Sequence, residues 1–334
     1  MIILLEKEKV HMKKKLLLVL LALALVLTAC GDGDGSSEST ASGESTENGG
    51  GDVIKLGGII PQTGPVSNYG NSTENGIKMA IAEVNEAGGI NGKQVEWISY
   101  DAKGEDTDAV TAYNKLMQDG VQAIIGAVTS KPTLAVAEAA VNDGIPMVTP
   151  TGTQFNITEG KDNIFRVCFT DPYQGNLLAI FTNDTLQGKT AAVLRNSSSD
   201  YSMGVADAFV DKANELGIEI VADESYGDND NDFKAQLTNI AGQNPDVLVI
   251  PDYYEKVALI APQARQVGIE ATFLGADGWD GTIVAMDAAS HADIENSYFT
   301  NHFSLEDDSE KVRTFIDKYT EEFGEDPTAF SALG

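Results

Sequence analysis

Residues 53–274 repeat one pattern, a short run of Val, Ile and Leu followed by apolar residues at helical spacing. Residues 53–60 read as a strand. Ile77, Ala80, Ile81 and Val84 then recur at i, i+3, i+4 and i+7, the stripe of an amphipathic helix. Asn71 or Ser72 can cap that helix, and Gly88-Gly89 ends it. Strands follow at residues 94–100, 121–127 and 145–149. Between them, one helix carries Val110, Tyr113, Leu116 and Met117 on one face and stops at Gly120, and the next covers residues 133–142. The pattern then restarts with a helix over residues 171–186 and a strand over 190–194. Val205, Phe209, Ala213 and Leu216 mark a helix closed by Gly217. Strands at 218–222, 247–250 and 272–274 are separated by helices near 233–240 and 255–267. Continuous apolar runs alternating with helices indicate parallel strands buried on both faces. Two rounds of about five such units predict an α/β fold of two doubly wound parallel-sheet lobes joined by a hinge.

The start of the chain belongs to a different class. Lys13-Lys14-Lys15 is a positive n-region, residues 16–27 are apolar, and Leu27-Thr28-Ala29-Cys30 closes the run. About a dozen apolar residues are too few to span a bilayer, which takes ~20, whereas a charged start and a small-residue junction fit a secretory leader. The Leu-Thr-Ala-Cys order resembles the bacterial lipobox, which implies cleavage before Cys30 and lipidation of its thiol. The protein is therefore expected on the outer face of the cell membrane, lipid-anchored. Glu6 and Glu8 sit badly in an n-region, so Met12 is the expected true start. Residues 31–52 hold no aliphatic side chain larger than Ala and predict a disordered tether. Its mean reach is roughly 25 Å. The expected organisation is a leader over 1–29, lipidated Cys30 and tether over 30–52, lobe 1 over 53–170 and lobe 2 over 171–300. Residues 301–334 return to lobe 1 and stop early, as a truncated C-terminus would.

Composition excludes several functions. The net charge is −29 with acids spread throughout, whereas nucleic acid needs a concentrated basic face. Besides Cys30 there is only Cys168, in a strand-like run, so no disulfide framework or metal-ligand spacing exists. Cys168 reads as a small buried hydrophobe. Asp228-Asn229-Asp230-Asn231-Asp232 opens like a calcium loop, but Phe233 stands where the turn needs Gly, and Asn239 stands in place of the closing Glu. A turn leading into a helix is expected there. His291 and His302 read as surface or lobe-junction residues. With no Walker loop, dinucleotide fingerprint, nucleophile elbow or zinc-binding helix, no enzyme, cofactor or metal is expected.

Open α/β sheets bind ligands past the carboxyl ends of their strands. Ala127-Val128-Thr129-Ser130-Lys131-Pro132-Thr133 offers hydroxyls and free N–H groups at a helix start, where anions bind. Thr149-Pro150-Thr151-Gly152-Thr153 is again rich in hydroxyls. Gly275-Ala276-Asp277-Gly278-Trp279 puts a carboxylate beside an aromatic. Two neutral turns facing one acid suit an amino acid zwitterion, with Ser130 and Thr153 on its carboxylate and Asp277 on its ammonium. Ser, Thr, Asp and Gly favour ordinary turns as well.

Gly64-Pro65-Val66-Ser67-Asn68-Tyr69-Gly70, Val84-Asn85-Glu86-Ala87-Gly88-Gly89-Ile90-Asn91-Gly92 and Tyr100-Asp101 open a longer series of motifs. Residues 126–133, Ile145-Pro146-Met147-Val148-Thr149-Pro150 and Phe165-Arg166 continue it. Over residues 54–330 the chain resembles the leucine/isoleucine/valine-binding proteins of branched-chain amino acid ABC importers, which have the type I periplasmic-binding fold. The resemblance implies that Ser130 and Thr153 hold the ligand carboxylate and that Val128 and Thr151 contact it through the backbone. It places Tyr69 over the ligand side chain, Tyr201 and Tyr253 in lobe 2, and Phe330 near the pocket. Asp277 falls where that family carries a glutamate for the ammonium. The disulfide that some relatives carry in lobe 1 is absent.

The function so implied is capture of an aliphatic amino acid (Leu, Ile or Val) by a monomer that delivers it to ABC permease and ATPase subunits. The alternatives are a binding protein for an amide, short peptide or aromatic acid, and a ligand-sensing receptor ectodomain.

Overall fold

The computed structural model describes residues 2–4 and 53–334. The lipobox, Cys30 and the tether lie outside the described residues. Strand β1 (Ile2–Leu4) belongs to the second of two sheets. Lobe 1 runs β2 (Ile54–Ile60), α1 (Ser67–Glu86), β3 (Val95–Asp101), α2 (Asp106–Asp119), β4 (Ala123–Gly126), α3 (Ser130–Asp143), β5 (Met147–Thr149) and β6 (Ile164–Arg166). Its strands are all parallel, in the order β3-β2-β4-β5-β6.

Lobe 2 follows with α4 (Asp171–Phe181), β7 (Thr190–Asn196), α5 (Asp200–Leu216), β8 (Glu219–Tyr226) and α6 (Lys234–Ala241). It continues through β9 (Val247–Val249), α7 (Tyr254–Gln266), β10 (Thr272–Gly275), α8 (Thr282–Ala285) and β11 (Tyr298–Thr300). The sheet order is β1-β11-β10-β9-β7-β8, parallel except for β1, which pairs antiparallel with β11. The apolar pattern of the sequence marks neither β1 nor β11. The chain then returns to lobe 1, where α9 (Glu310–Phe323) and α10 (Ala329–Leu333) pack on α1. Tyr319 meets Asn75, and Lys318 pairs with Glu83.

The continuous apolar runs have a plain cause. Along β7, Ala192 and Leu194 face one core with Phe233, Leu248 and Phe273, while Ala191 and Val193 face another with Phe209, Val249 and Leu274. A strand buried on both faces needs apolar side chains at every position. Each buried Val, Leu or Phe of this kind contributes roughly 1.5–3 kcal/mol.

Three helix boundaries correct the expectations. Helix α1 begins at Ser67, so neither Asn71 nor Ser72 caps it. Burial of Tyr69 and Gly70 in its first turn outweighs the weak propensity of Gly70-Asn71-Ser72. Helix α3 begins at Ser130, because Pro132 sits in the first turn, where its missing N–H is no loss. The segment expected as one helix over 171–186 is α-helical only to Phe181 and closes with a π turn, where the Thr182 hydroxyl donates to Leu178 O at 2.9 Å.

In both lobes the chain reverses its direction of travel across the sheet. In lobe 1, β3 and β4 lie on opposite sides of β2; in lobe 2, β8 and β9 flank β7. Loops leaving these strands diverge and open a crevice at the carboxyl ends. The two crevices face each other.

Candidate functional site

Lobe 1 supplies a wall of hydroxyls and backbone. The loop after β4 turns sharply at Val128, whose φ of 79° is rare for a β-branched residue. Neighbouring threonines hold it there. Thr151 donates to Val128 O at 2.7 Å, while Thr133 accepts from Ala127 N at 3.1 Å and donates to Thr129 O at 2.6 Å. This aims the first turn of α3 at the cleft, with Ser130 Oγ 3.4 Å from Thr153 Oγ1. Among the described residues no side chain caps α3, so its first N–H groups favour an anion. Arg166, on β6, holds the Thr153 loop from below by donating to the carbonyls of Gly152, Gln154 and Phe155.

Lobe 2 supplies aromatic rings and carboxylates. Tyr201 and Tyr253 stack with centroids 5.0 Å apart. Asp277 sits in the turn after β10, where Oδ1 accepts from Gln174 Nε2 and from the Tyr201 hydroxyl, each at 3.0 Å. Its Oδ2 lies 3.4 Å from His302 Nε2. Burial, reinforced by Asp277, holds the Tyr201 hydroxyl well above its usual range. Tyr253 is likewise raised by burial, and its hydroxyl meets the Ser130 backbone across the cleft.

All the sequence-predicted residues except Tyr69 line this cleft: Val128, Thr129, Ser130, Thr151, Thr153, Tyr201, Tyr253 and Asp277, joined by Gly278 and Phe330. The empty space among them is about 210 Å³, counting its mouth. The enclosed cavity itself is about 10 Å³, room for about one water, so the lobes must part to admit a ligand. Tyr69 stands behind the lining, stacked on Phe330 at 4.0 Å and edge-on to Tyr253 at 5.8 Å.

The structure adds residues that the sequence pattern leaves out. Asp171 is almost wholly buried at the start of α4, and among the described residues neither carboxylate oxygen has a hydrogen-bond partner, although Thr153 lies close enough to favour its charge. Burial first and the charge of Asp277 next push its carboxyl well above the usual range. It follows a strand, β6, as the other candidates do, but its sequence context marks only a helix start. Cys168, beside it, is buried as expected, and burial raises its thiol. His302 lies past β11, which the pattern does not mark, so a residue expected at the surface or a lobe junction stands against Asp277. Trp279 donates its indole N–H to Ile250 O at 2.7 Å and supports the Asp277 turn. Among the described residues no group of three or more His, Cys, Asp or Glu could hold a metal ion. None of the described helices is long and apolar enough to cross a membrane.

Comparison with known proteins agrees with this architecture. The family model described as periplasmic binding protein matches residues 53–334. The Leu/Ile/Val-binding protein BraC3 of Rhizobium johnstonii is 34% identical over 252 residues, covering 74% of this chain and 67% of the relative. A leucine-, isoleucine-, valine-, threonine- and alanine-binding protein of Pseudomonas aeruginosa is 33% identical over 228 residues, covering 68% of this chain and 61% of the relative. The chain thus spans about three fifths to two thirds of these curated relatives. Among solved structures, the branched-chain amino acid transporter substrate-binding protein LivJ of Streptococcus pneumoniae, in complex with isoleucine, superposes with a TM-score of 0.79 at 34% identity. That match covers 84% of this chain and 80% of that one. The leucine-binding protein LivK of Thermotoga maritima gives 0.78 at 35%, covering 84% and 79%. With two facing doubly wound lobes, a cleft at their switch points and a family match along nearly the whole described chain, the protein belongs to the periplasmic binding protein family.

Proposed function

We propose that the protein binds a branched-chain amino acid (Leu, Ile or Val) outside the cytoplasmic membrane and delivers it to an ABC importer. The carrying observation is the polarity of one closed cleft. Hydroxyls and a helix start on lobe 1 oppose two buried carboxylates on lobe 2, with aromatic rings around them. In this reading the ligand carboxylate takes Ser130, Thr153 and the backbone about Val128, Thr129 and Thr151. The ammonium takes Asp277 together with Asp171, whose oxygens lack hydrogen-bond partners among the described residues. Tyr201, Tyr253 and Phe330 enclose the side chain, and Tyr69 backs them. The names of the relatives support the ligand class.

The mechanism is binding with hinge closure and no chemical step. Ligand settles on one lobe, and contacts made only when both lobes meet shift the population toward the closed form. The closed form is the species offered to the permease and its ATPase, and the lipid on Cys30 keeps a monomer near them.

Calorimetric titration with L-leucine, L-isoleucine and L-valine, beside 4-methylpentanoate and isopentylamine, tests this. Saturable binding of the amino acids in the micromolar range, about −8 kcal/mol, is expected, with none for the two one-ended analogues. Asp277→Ala should abolish it, because a buried ammonium without its partner is strongly disfavoured. Parent-like valine binding by Asp277→Ala would show the ammonium assignment to be wrong.

A further inference from the structure

Asp277 uses its two oxygens differently. Oδ1 is taken by Gln174 and Tyr201. Among the described residues Oδ2 has one polar neighbour, His302 Nε2 at 3.4 Å, too long for a strong hydrogen bond. The histidine is held in place. Its ring stacks on Phe169 with centroids 3.5 Å apart, its backbone N–H donates to Asn301 Oδ1 at 2.8 Å, and its side chain is 9% exposed. We infer that His302 is a positioning residue at the ammonium end of the cleft, and that its imidazolium and the ligand's ammonium compete for Asp277 Oδ2. Binding of the ligand is then coupled to loss of a proton from His302. This rests on the amino-acid reading above.

The sign follows from the charges. A neutral imidazole donating to Oδ2 orients the carboxylate and leaves its charge for the ammonium. An imidazolium cancels that charge and sets a like charge beside the incoming cation. Affinity therefore falls as pH drops and His302 takes up a proton. Other ionisable groups reach the cluster from the elements around it: Asp171 on α4, Asp280 after the Asp277 turn, Arg166 on β6, Cys168 and Tyr201. Burial raises the Cys168 thiol and the Tyr201 hydroxyl, so neither changes charge here. An arginine keeps its charge throughout. Burial also raises Asp171 and Asp280. Protonation of Asp171 would weaken ammonium binding in the same direction, so the test must separate it from His302.

L-isoleucine is titrated from pH 5.5 to 8 in buffers of differing ionisation enthalpy. The parent should lose about tenfold in affinity toward the acid end, the equivalent of one pKa unit of coupling, and release a proton on binding near the midpoint. His302→Gln keeps a side-chain amide for Asp277 but carries no titrating charge. Whatever its absolute affinity, its profile should be shallower than the parent's and its proton release smaller, the remainder belonging to Asp171. A second readout needs no variant: the NMR titration midpoint of the His302 ring should fall by about one pH unit when L-isoleucine is added. A flat parent profile, an unmoved midpoint, or a His302→Gln slope equal to the parent's overturns the proposal, the last assigning the dependence to Asp171 or Asp280. Binding without pH dependence removes this inference alone. Absence of binding by leucine, isoleucine and valine at every pH removes the amino-acid reading as well.

Discussion

The hydroxyl of Tyr69 in lobe 1 accepts the backbone N–H of Tyr254 in lobe 2 at 3.1 Å and donates to the carbonyl of Gly278, so one oxygen ties two loops of the opposite lobe. Tyr254 answers by donating its own hydroxyl to Pro65 O at 2.6 Å. Both rings sit in an apolar cluster with Ile60, Val66 and Phe330. These contacts require the lobes to be together, which makes them a latch for the closed form.

Tyr69→Phe should therefore weaken ligand binding more than it weakens folding. The ring still fills its place, but the Tyr254 N–H and the Gly278 carbonyl lose a partner only when the lobes close. Leaving such groups unpaired costs about 1–3 kcal/mol, or roughly ten- to hundredfold in affinity. Calorimetry with L-isoleucine reads the loss, and small-angle scattering should show a more open ligand-bound ensemble. Parent-like affinity would remove the latch.

Asp171 predicts a conflict between stability and binding. Its folded carboxyl lies above the usual range, so the folded protein holds a proton that the unfolded chain has released. The associated stability is complete below the unfolded value, about 3.9 for Asp, and is lost as pH rises through the folded one. Asp171→Asn should raise the ligand-free Tm at pH 7–8 and reduce its decline with pH. The same variant should bind L-isoleucine at least tenfold more weakly, if the carboxylate shares the ammonium. A lower Tm at pH 8 would show that the charge is better accommodated than its surroundings imply.

Strand ends decide how much of the site is legible in the sequence. Ser130, Thr153 and Asp277 follow the stretches 121–127, 145–149 and 272–274, which carry no charged residue, so the chemistry past each stretch stands out. Asp171 follows β6, only three residues long and carrying a charge, Ile164–Arg166. His302 follows β11, also three residues, with a tyrosine and a threonine among them. Short, mixed strands have no clear period, and tertiary pairing alone defines them. The start of α1 is hidden for a related reason: burial of Tyr69 sets it, and no local cap marks it.

Gly275 is where the core of lobe 2 and the site share a constraint. A Cβ there would overlap the ring of Trp279, a buried side chain anchored to Ile250 O. Gly275→Ala must push the indole away, and the turn carrying Asp277 lies between the two residues. Overpacking of this kind costs about 1–3 kcal/mol, a few degrees in Tm for a chain of this size. Binding of L-isoleucine should fall further than that stability loss alone explains. Thermal melts and calorimetry on the same preparation give both numbers, and unchanged binding despite a lower Tm would uncouple Trp279 from the site.

Arg166 offers the sharpest separation of geometry from charge. Its guanidinium donates to the carbonyls of Gly152 and Gln154, which flank Thr153 on both sides, and to Phe155 O and Thr158 Oγ1 besides. Its positive charge also steadies Asp171. Arg166→Lys keeps the charge and loses the planar fork, since one ammonium does not serve diverging carbonyls in fixed directions. If the fork sets the position of Thr153, the variant should bind L-isoleucine about tenfold more weakly, a loss of ~1.4 kcal/mol, while the pH dependence of stability traced to Asp171 stays as in the parent. If only the charge matters, affinity should stay at the parent value. Thr153→Val combined with Arg166→Lys completes a cycle: losses that fail to add would show that the arginine acts through the threonine loop, and strictly additive losses would show that it does not.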